Sequence, residues 1–139
     1  MRLACLTTIG GAALLVACAT GYKPESMMHI GGYSEEKRGP GVWQVWFVGN
    51  AQTTPDMIDE FALLRGAELC LAEGKPFMRA GKFDSSVGAT GRFAERVYEI
   101  RSAVEVTCLA EKSGDAQDAA AVAADIRQRY RIAGRRSPR

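Results

Sequence analysis

The chain has 139 residues, 47% of them hydrophobic, with 18 lysines and arginines against 16 aspartates and glutamates, a formal net charge of +2. That length suits one small domain with a core of its own, and a charge so near balance excludes the basic footprint of a nucleic-acid binder. Away from the N-terminus the chain has two distant cysteines, Cys70 and Cys108, and with a single histidine these cannot make the usual four-ligand zinc set.

Met1-Arg2 supplies one positive charge, and Leu3 to Ala17 is uncharged and mostly apolar, broken by Thr7, Thr8 and Gly10-Gly11. A positive start followed by roughly 15 such residues has the proportions of a secretory signal. It falls short of the roughly 20 apolar residues that a membrane-spanning helix needs. At its end, Leu15-Val16-Ala17-Cys18 resembles the lipobox of bacterial lipoproteins. The resemblance implies cleavage between Ala17 and Cys18, diacylglycerol on the Cys18 thiol, and attachment to the membrane through N-terminal acyl chains. Each buried methylene contributes about 0.8 kcal/mol, so two or three chains on one residue hold a protein to a bilayer. Ala19, where an aspartate would retain the product at the inner membrane, points to the outer membrane and a periplasm-facing domain. The blander reading is an ordinary signal peptide with an incidental cysteine.

Residues 19–40 mix Gly, Pro, Ser and charges without a sustained period, and together with Cys18 they read as a lipidated N-terminus and flexible tether, residues 18–40. His29 falls there and is expected to be solvated. Val42 to Asn50, "VWQVWFVGN", is β-rich with two apolar faces, which predicts a strand interior to a sheet. Gly49-Asn50 then allows either exposed amides for an anion or a plain strand-to-helix turn. Thr54, Pro55 and Asp56 open a helix as cap, first residue and dipole partner. It is expected to run to about Glu73 and stop at Gly74, with Arg65 and Glu68 as a surface pair. "KPFMRAGKF" reads as a short strand with Pro76 at its edge, and "DSSVGATG" as a loop. "ERVYEIRSAVEVTCLA" is the clearest strand: Tyr98, Ile100, Val104, Val106 and Cys108 face the core, and Glu99, Arg101, Ala103, Glu105 and Thr107 face water. A second helix is expected over Asp115 to about Arg131, with Ala119, Val122, Ala123, Ile126 and Tyr130 as its apolar stripe.

The expected fold is α+β, a small two-layer domain of β-α-β-β-α order with a three-stranded sheet and two helices. Its parts are a signal peptide (residues 1–17), the tether (18–40), a globular domain (41–132) and a basic flexible tail (133–139). If the first two strands pair in parallel, their crossover is right-handed.

Taken together, "GGYSEE", "VWQVWFVGNAQTT" and "FALLRGAELCLAEG" resemble a family of small bacterial lipoproteins, the CC0125/CC1285 type. That family joins a lipobox to a GYS-type lead-in, a strand ending in F-x-GN, a threonine-capped helix and an L-x-RAAEL-like segment. The likeness covers about residues 15–78, with Gly66 where the pattern has alanine. It implies an envelope address and this order of elements, and brings no activity.

No G-x-S-x-G, H-E-x-x-H or phosphate-cradling glycine pattern occurs, so no catalytic residue, cofactor or metal is assigned. Loss of Cys5 with the signal and acylation of Cys18 leave Cys70 and Cys108 as a pair in an oxidising compartment. Their separation of 38 positions is unlike the C-x-x-C of oxidoreductases, which favours a structural bridge over a redox pair, and two buried reduced thiols stay open as the rival. Arg127, Arg129, Arg131, Arg135, Arg136 and Arg139 crowd the last 13 residues without an acid and are the candidate anion contacts. The expected function is that of a periplasm-facing lipoprotein with a non-catalytic structural or protein-interaction role, its partners being the membrane and an envelope protein. The alternatives are an anionic-ligand binder using those arginines on lipid phosphate or cell wall, and an envelope-stress sensor built on Cys70 and Cys108.

Overall fold

The computed structural model describes residues 19–26, 31–90 and 97–133. Its elements are β1 (Gly32–Gly39), β2 (Val42–Asn50), α1 (Pro55–Ala72), β3 (Phe77–Ala80), β4 (Asp84–Thr90), β5 (Val97–Leu109), β6 (Gln117–Asp118) and α2 (Ala119–Tyr130). Every pairing between these strands is antiparallel. The order is β1-β2-β5-β3-β6, with β4 also on β5. The residues expected as the first two strands therefore do not pair in parallel, since β5 lies between β2 and β3.

β3 and β4 occupy the same flank of β5, end to end. Between the pairs Ala80–Val106 and Asp84–Ala103 the outer chain has three residues against two, so this edge bulges at Gly81-Lys82-Phe83. The Gly81 amide still donates to the Glu105 carbonyl at 2.8 Å, which keeps the two halves on one line.

The period-2 alternation of β2 and β5 decides which face is dry. Val45, Phe47, Val104 and Val106 are fully or almost fully buried, and the register sets Val45 opposite Val104 and Phe47 opposite Ser102. α1 lies on that face. Thr54 caps it by accepting from the Met57 amide at 3.3 Å, with Pro55 in the first turn. Its end is closed by Gly74 at φ +70°, whose amide donates to Leu71 while that of Lys75 donates to Cys70. α2 packs against α1, and both helices cover one side of the sheet. Phe61 is the hub of the core, with Phe47 and Tyr130 edge-on at 5.0 Å and Tyr22 at 5.6 Å.

The two-layer α+β class is as expected, and the three-stranded sheet is not: the sheet has six strands. β1 comes from the stretch read as tether. Its core-facing side chains are Tyr33, Glu35 and Lys37, so polar residues stand where an apolar alternation would have signalled a strand. β4 was expected as a loop because Asp84, Ser85, Ser86 and Gly88 are poor strand formers. It pairs because β5 offers a free flank seven residues long, from Val97 to Ala103. β6 is a two-residue pairing with Phe77 and Met78, which delays the second helix to Ala119, capped by Asp118.

Gly66, the departure from the family pattern, has a packing reason. A Cβ there would meet Val106 Cγ2 at 2.6 Å, and Val106 is a fully buried, β-branched side chain with no room to turn. Alanine would raise helix propensity by about 1 kcal/mol, yet overpacking costs about 1–3 kcal/mol. Gly66→Ala is therefore expected to lower stability by up to about 2 kcal/mol. In chemical denaturation, Gly66→Ala with Val106→Ala should lose less than the two single losses added; strict additivity would show that the helix does not rest on Val106.

Candidate functional site

Arg65 and Glu68 are not a surface pair. Their side chains are 13% and 9% exposed, and they organise a cluster that joins four parts of the chain. Arg65 donates two hydrogen bonds to the Glu35 carboxylate on β1, at 2.6 and 3.1 Å. Its guanidinium also lies 4.7 Å from the centre of the Tyr33 ring. Glu68 accepts from Arg65 at 3.0 Å, from Arg127 of α2 at 2.8 Å, and from the Tyr22 hydroxyl at 2.6 Å. Two carboxylates thus meet two guanidinium groups, and the cluster is neutral as a whole. No buried side-chain nitrogen or oxygen among the described residues lacks a hydrogen-bond partner.

These contacts fix the protonation states. Burial alone would raise the Glu68 carboxyl, but the hydrogen bonds from Tyr22, Arg127 and Arg65 outweigh it and hold the group below its ordinary value. Burial, helped by the nearby Glu68 carboxylate, pushes the Tyr22 phenol far up, so it remains a donor at every working pH. Arg65 is driven further into its charged form: burial opposes the charge, and the Glu35 and Glu68 carboxylates more than compensate. Tyr22, Glu68 and Arg65 are thus held as a neutral donor, an anion and a cation, which suits them to holding a fold.

Tyr22 belongs to a segment that is built into the domain. The Tyr33 amide donates to the Lys23 carbonyl at 2.7 Å, and the Glu25 amide to the Tyr33 carbonyl at 2.8 Å. Gly32, at φ +128°, passes so close that a Cβ would lie 2.3 Å from the Lys23 carbonyl oxygen. Upstream, the Thr20 amide donates to the Thr53 hydroxyl at 3.1 Å, and the Asn50 amide donates to the Thr20 hydroxyl at 3.0 Å. Asn50 Oδ1 in turn accepts from the Thr53 hydroxyl and the Gln52 amide. Gly49-Asn50 is therefore a strand-to-helix turn closed by its own side chains.

The cysteines meet as a disulfide, with Cα atoms 5.0 Å apart, tying the last turns of α1 to the end of β5. Cys70 is fully buried and Cys108 nearly so. Arg127 and Arg129, expected as anion contacts, lie within α2 and face carboxylates. Arg127 bonds Glu68, while Arg129 pairs with Glu60 and Asp125. Arg131 is exposed just past the helix at φ 53°. Ala17, Cys18, His29, Arg135, Arg136 and Arg139 lie outside the described residues. Of the tryptophans, Trp43 donates to Glu73 at 3.0 Å beside Lys37, and Trp46 lies half-buried on the helix-free face of the sheet.

The chemistry of other groups is restrained. The Ser102 hydroxyl is fully buried and donates to Asp59 at 2.5 Å, and Ser85 donates to the same oxygen at 3.0 Å. Among the described residues no three His, Cys, Asp or Glu side chains come together as a metal site. A cleft of about 340 Å³ opens beside β4 where β2 ends and β5 begins, lined by Asn50, Ala51, Thr53, Pro55, Val87, Tyr98, Glu99 and Ile100. Compared with protein-family models, with curated proteins and with solved structures, the chain matches none. The family resemblance rests on its motifs alone.

Two outcomes follow from this geometry. Glu68→Gln keeps the shape and removes the charge, leaving Arg127 without its carboxylate; stability at neutral pH is expected to fall by about 2–3 kcal/mol. Because the folded carboxyl titrates below its unfolded value near 4.5, its stabilisation is complete above that pH and fades as pH drops through the folded value. The gap between wild type and Glu68→Gln, followed by urea unfolding, should narrow on acidification below about pH 4.5. Separately, replacing both Cys70 and Cys108 by alanine is expected to cost about 4 kcal/mol at most, the chain-entropy figure for a loop of 38 residues. In the native protein unfolded with a thiol-blocking reagent, neither cysteine should take up label.

Proposed function

We propose that the protein is a lipid-anchored lipoprotein of the bacterial envelope, facing the periplasm from the outer membrane, with a non-catalytic structural or protein-interaction role. The observation that carries this reading is the Cys70–Cys108 disulfide. Bridges of this kind persist in oxidising compartments such as the periplasm, the same address that the lipobox resemblance of Leu15-Val16-Ala17-Cys18 implies. The bridge is buried on both sides, which favours a structural role over exchange with other thiols. Pairing of Arg127 and Arg129 with Glu68, Glu60 and Asp125 weakens the anion-binding alternative, since those guanidinium groups already have counter-charges.

The test is the intact mass of protein extracted from bacterial membranes. Loss of residues 1–17 together with added acyl mass on Cys18 is expected, and Cys18→Ser should release the domain into the soluble fraction. A chain cleaved elsewhere, or membrane attachment unchanged in Cys18→Ser, would overturn the reading.

A further inference from the structure

The lipid anchor and the domain are separated by almost no chain. Cys18 precedes Thr20 by two residues, and Thr20 is held by Thr53 and Asn50. Two fully extended residues span at most about 7 Å. That is about the depth of one headgroup layer, which contributes roughly 5–7 Å on each side of a bilayer. A lipidated Cys18 in the membrane therefore brings the Asn50–Thr53 turn down to the membrane surface.

The two most exposed large apolar side chains lie at the same end of the sheet, while Leu71 and Phe83, less exposed, lie elsewhere. Val87 is 73% exposed and Tyr98 55%. The register places them on one face as diagonal neighbours, since Val87 pairs with Ile100 and Ala89 with Tyr98. With Ala51, Pro55, Glu99 and Ile100 they line a cleft that is also lined by Asn50 and Thr53, the two residues that hold Thr20. Tyr98 carries an apolar ring and a polar tip, the combination enriched at membrane interfaces.

Building on the lipoprotein reading, we infer that this end of the domain docks on the bilayer, with Val87 and Tyr98 seated among the lipid headgroups beside the acylated N-terminus. The domain is then held in one orientation. β5 runs away from the membrane, and the β1–β2 turn at Pro40-Gly41, which lies beside Cys108, faces the periplasm. The inserted side chains, Val87 and Tyr98, are uncharged, so the contact should persist at high salt, where attachment through arginines would weaken.

Full-length lipidated protein in vesicles of phosphatidylethanolamine and phosphatidylglycerol tests this with nitroxide labels. One label is placed at Val87→Cys, a second at Tyr98→Cys, and a control at Lys112→Cys, exposed beyond the opposite end of β5. At the first two sites the ratio of collision with oxygen to collision with a water-soluble nickel complex should be several-fold higher than at Lys112, in low and high salt alike. Equal ratios in protein that carries acyl mass and floats with the vesicles would overturn the docking and leave the anchor standing. Protein without acyl mass would instead overturn the lipoprotein reading beneath it. Protection of Val87 in native envelopes but not in pure lipid vesicles would show that a protein covers the patch, and would also overturn the inference.

Discussion

A charged glutamate has to be accommodated inside this domain, and the arrangement of the remaining parts follows from how that is done. Glu68 lies in the C-terminal half of α1 with its side chain almost wholly covered. An isolated carboxylate in that position would be expelled or neutralised. It stays charged because donors reach it from three directions: Arg65 one turn back, Arg127 from α2, and Tyr22 from the N-terminal segment. Each donor fixes the element that carries it. Arg65 extends the chain of charges to Glu35 and so to β1. A buried ion pair is weak evidence of net stability, since a well-packed apolar replacement can do as well. What it supplies here is position: β1, α1, α2 and residues 19–26 have one arrangement in which all the donors and acceptors are met.

The same cluster explains why β1 is a strand at all. On its core-facing side it offers Tyr33, Glu35 and Lys37, of which only the first is apolar. Tyr33 lies under the Arg65 guanidinium, Glu35 is bonded to it, and Lys37 bonds Glu73 while lying 5.2 Å from the Trp43 ring. Partners on α1 thus replace the apolar neighbours that an interior strand would need. β1 is also an edge, and charged side chains along it discourage pairing with other chains.

Elements whose signal is local could be read from the residues. β2 is bounded by its own apolar run and Gly49-Asn50, α1 by Thr54 and Gly74, and the sides of β5 by an alternation that Ser102 interrupts and that fails at Tyr98, expected to face the core and found exposed. The disulfide was legible too, because Cys108 falls on the buried side of β5 and Cys70 near the covered side of α1. What stayed hidden depends on residues far apart in the chain. Arg65 and Glu68, at helical spacing, look like any exposed pair until Glu35, Tyr22 and Arg127 close over them. Gly66 looks like a weak point in a helix until Val106 is found beneath it. β4 has no apolar period, and its existence follows from the unfilled flank of β5.

A domain of roughly this size buries little more than about 60% of its unfolded surface and has limited stability in reserve. The fastenings of α1 are spread accordingly. Asn50, Thr53 and Thr20 close its beginning, Glu68 and Arg65 hold its C-terminal half, and Cys70 bonds its end to β5. The first two also capture residues 19–26, so the segment that looks most like a spacer is part of the tertiary structure. A free linker would let a domain tumble beneath its anchor at a distance set by linker length. Here Thr20 and Tyr22 remove that freedom, because the contacts that complete the core also bring the start of the folded chain to the end of the sheet where Val87 and Tyr98 are exposed. The N-terminal segment therefore cannot be loosened without opening the Glu68 cluster that holds the helices in place.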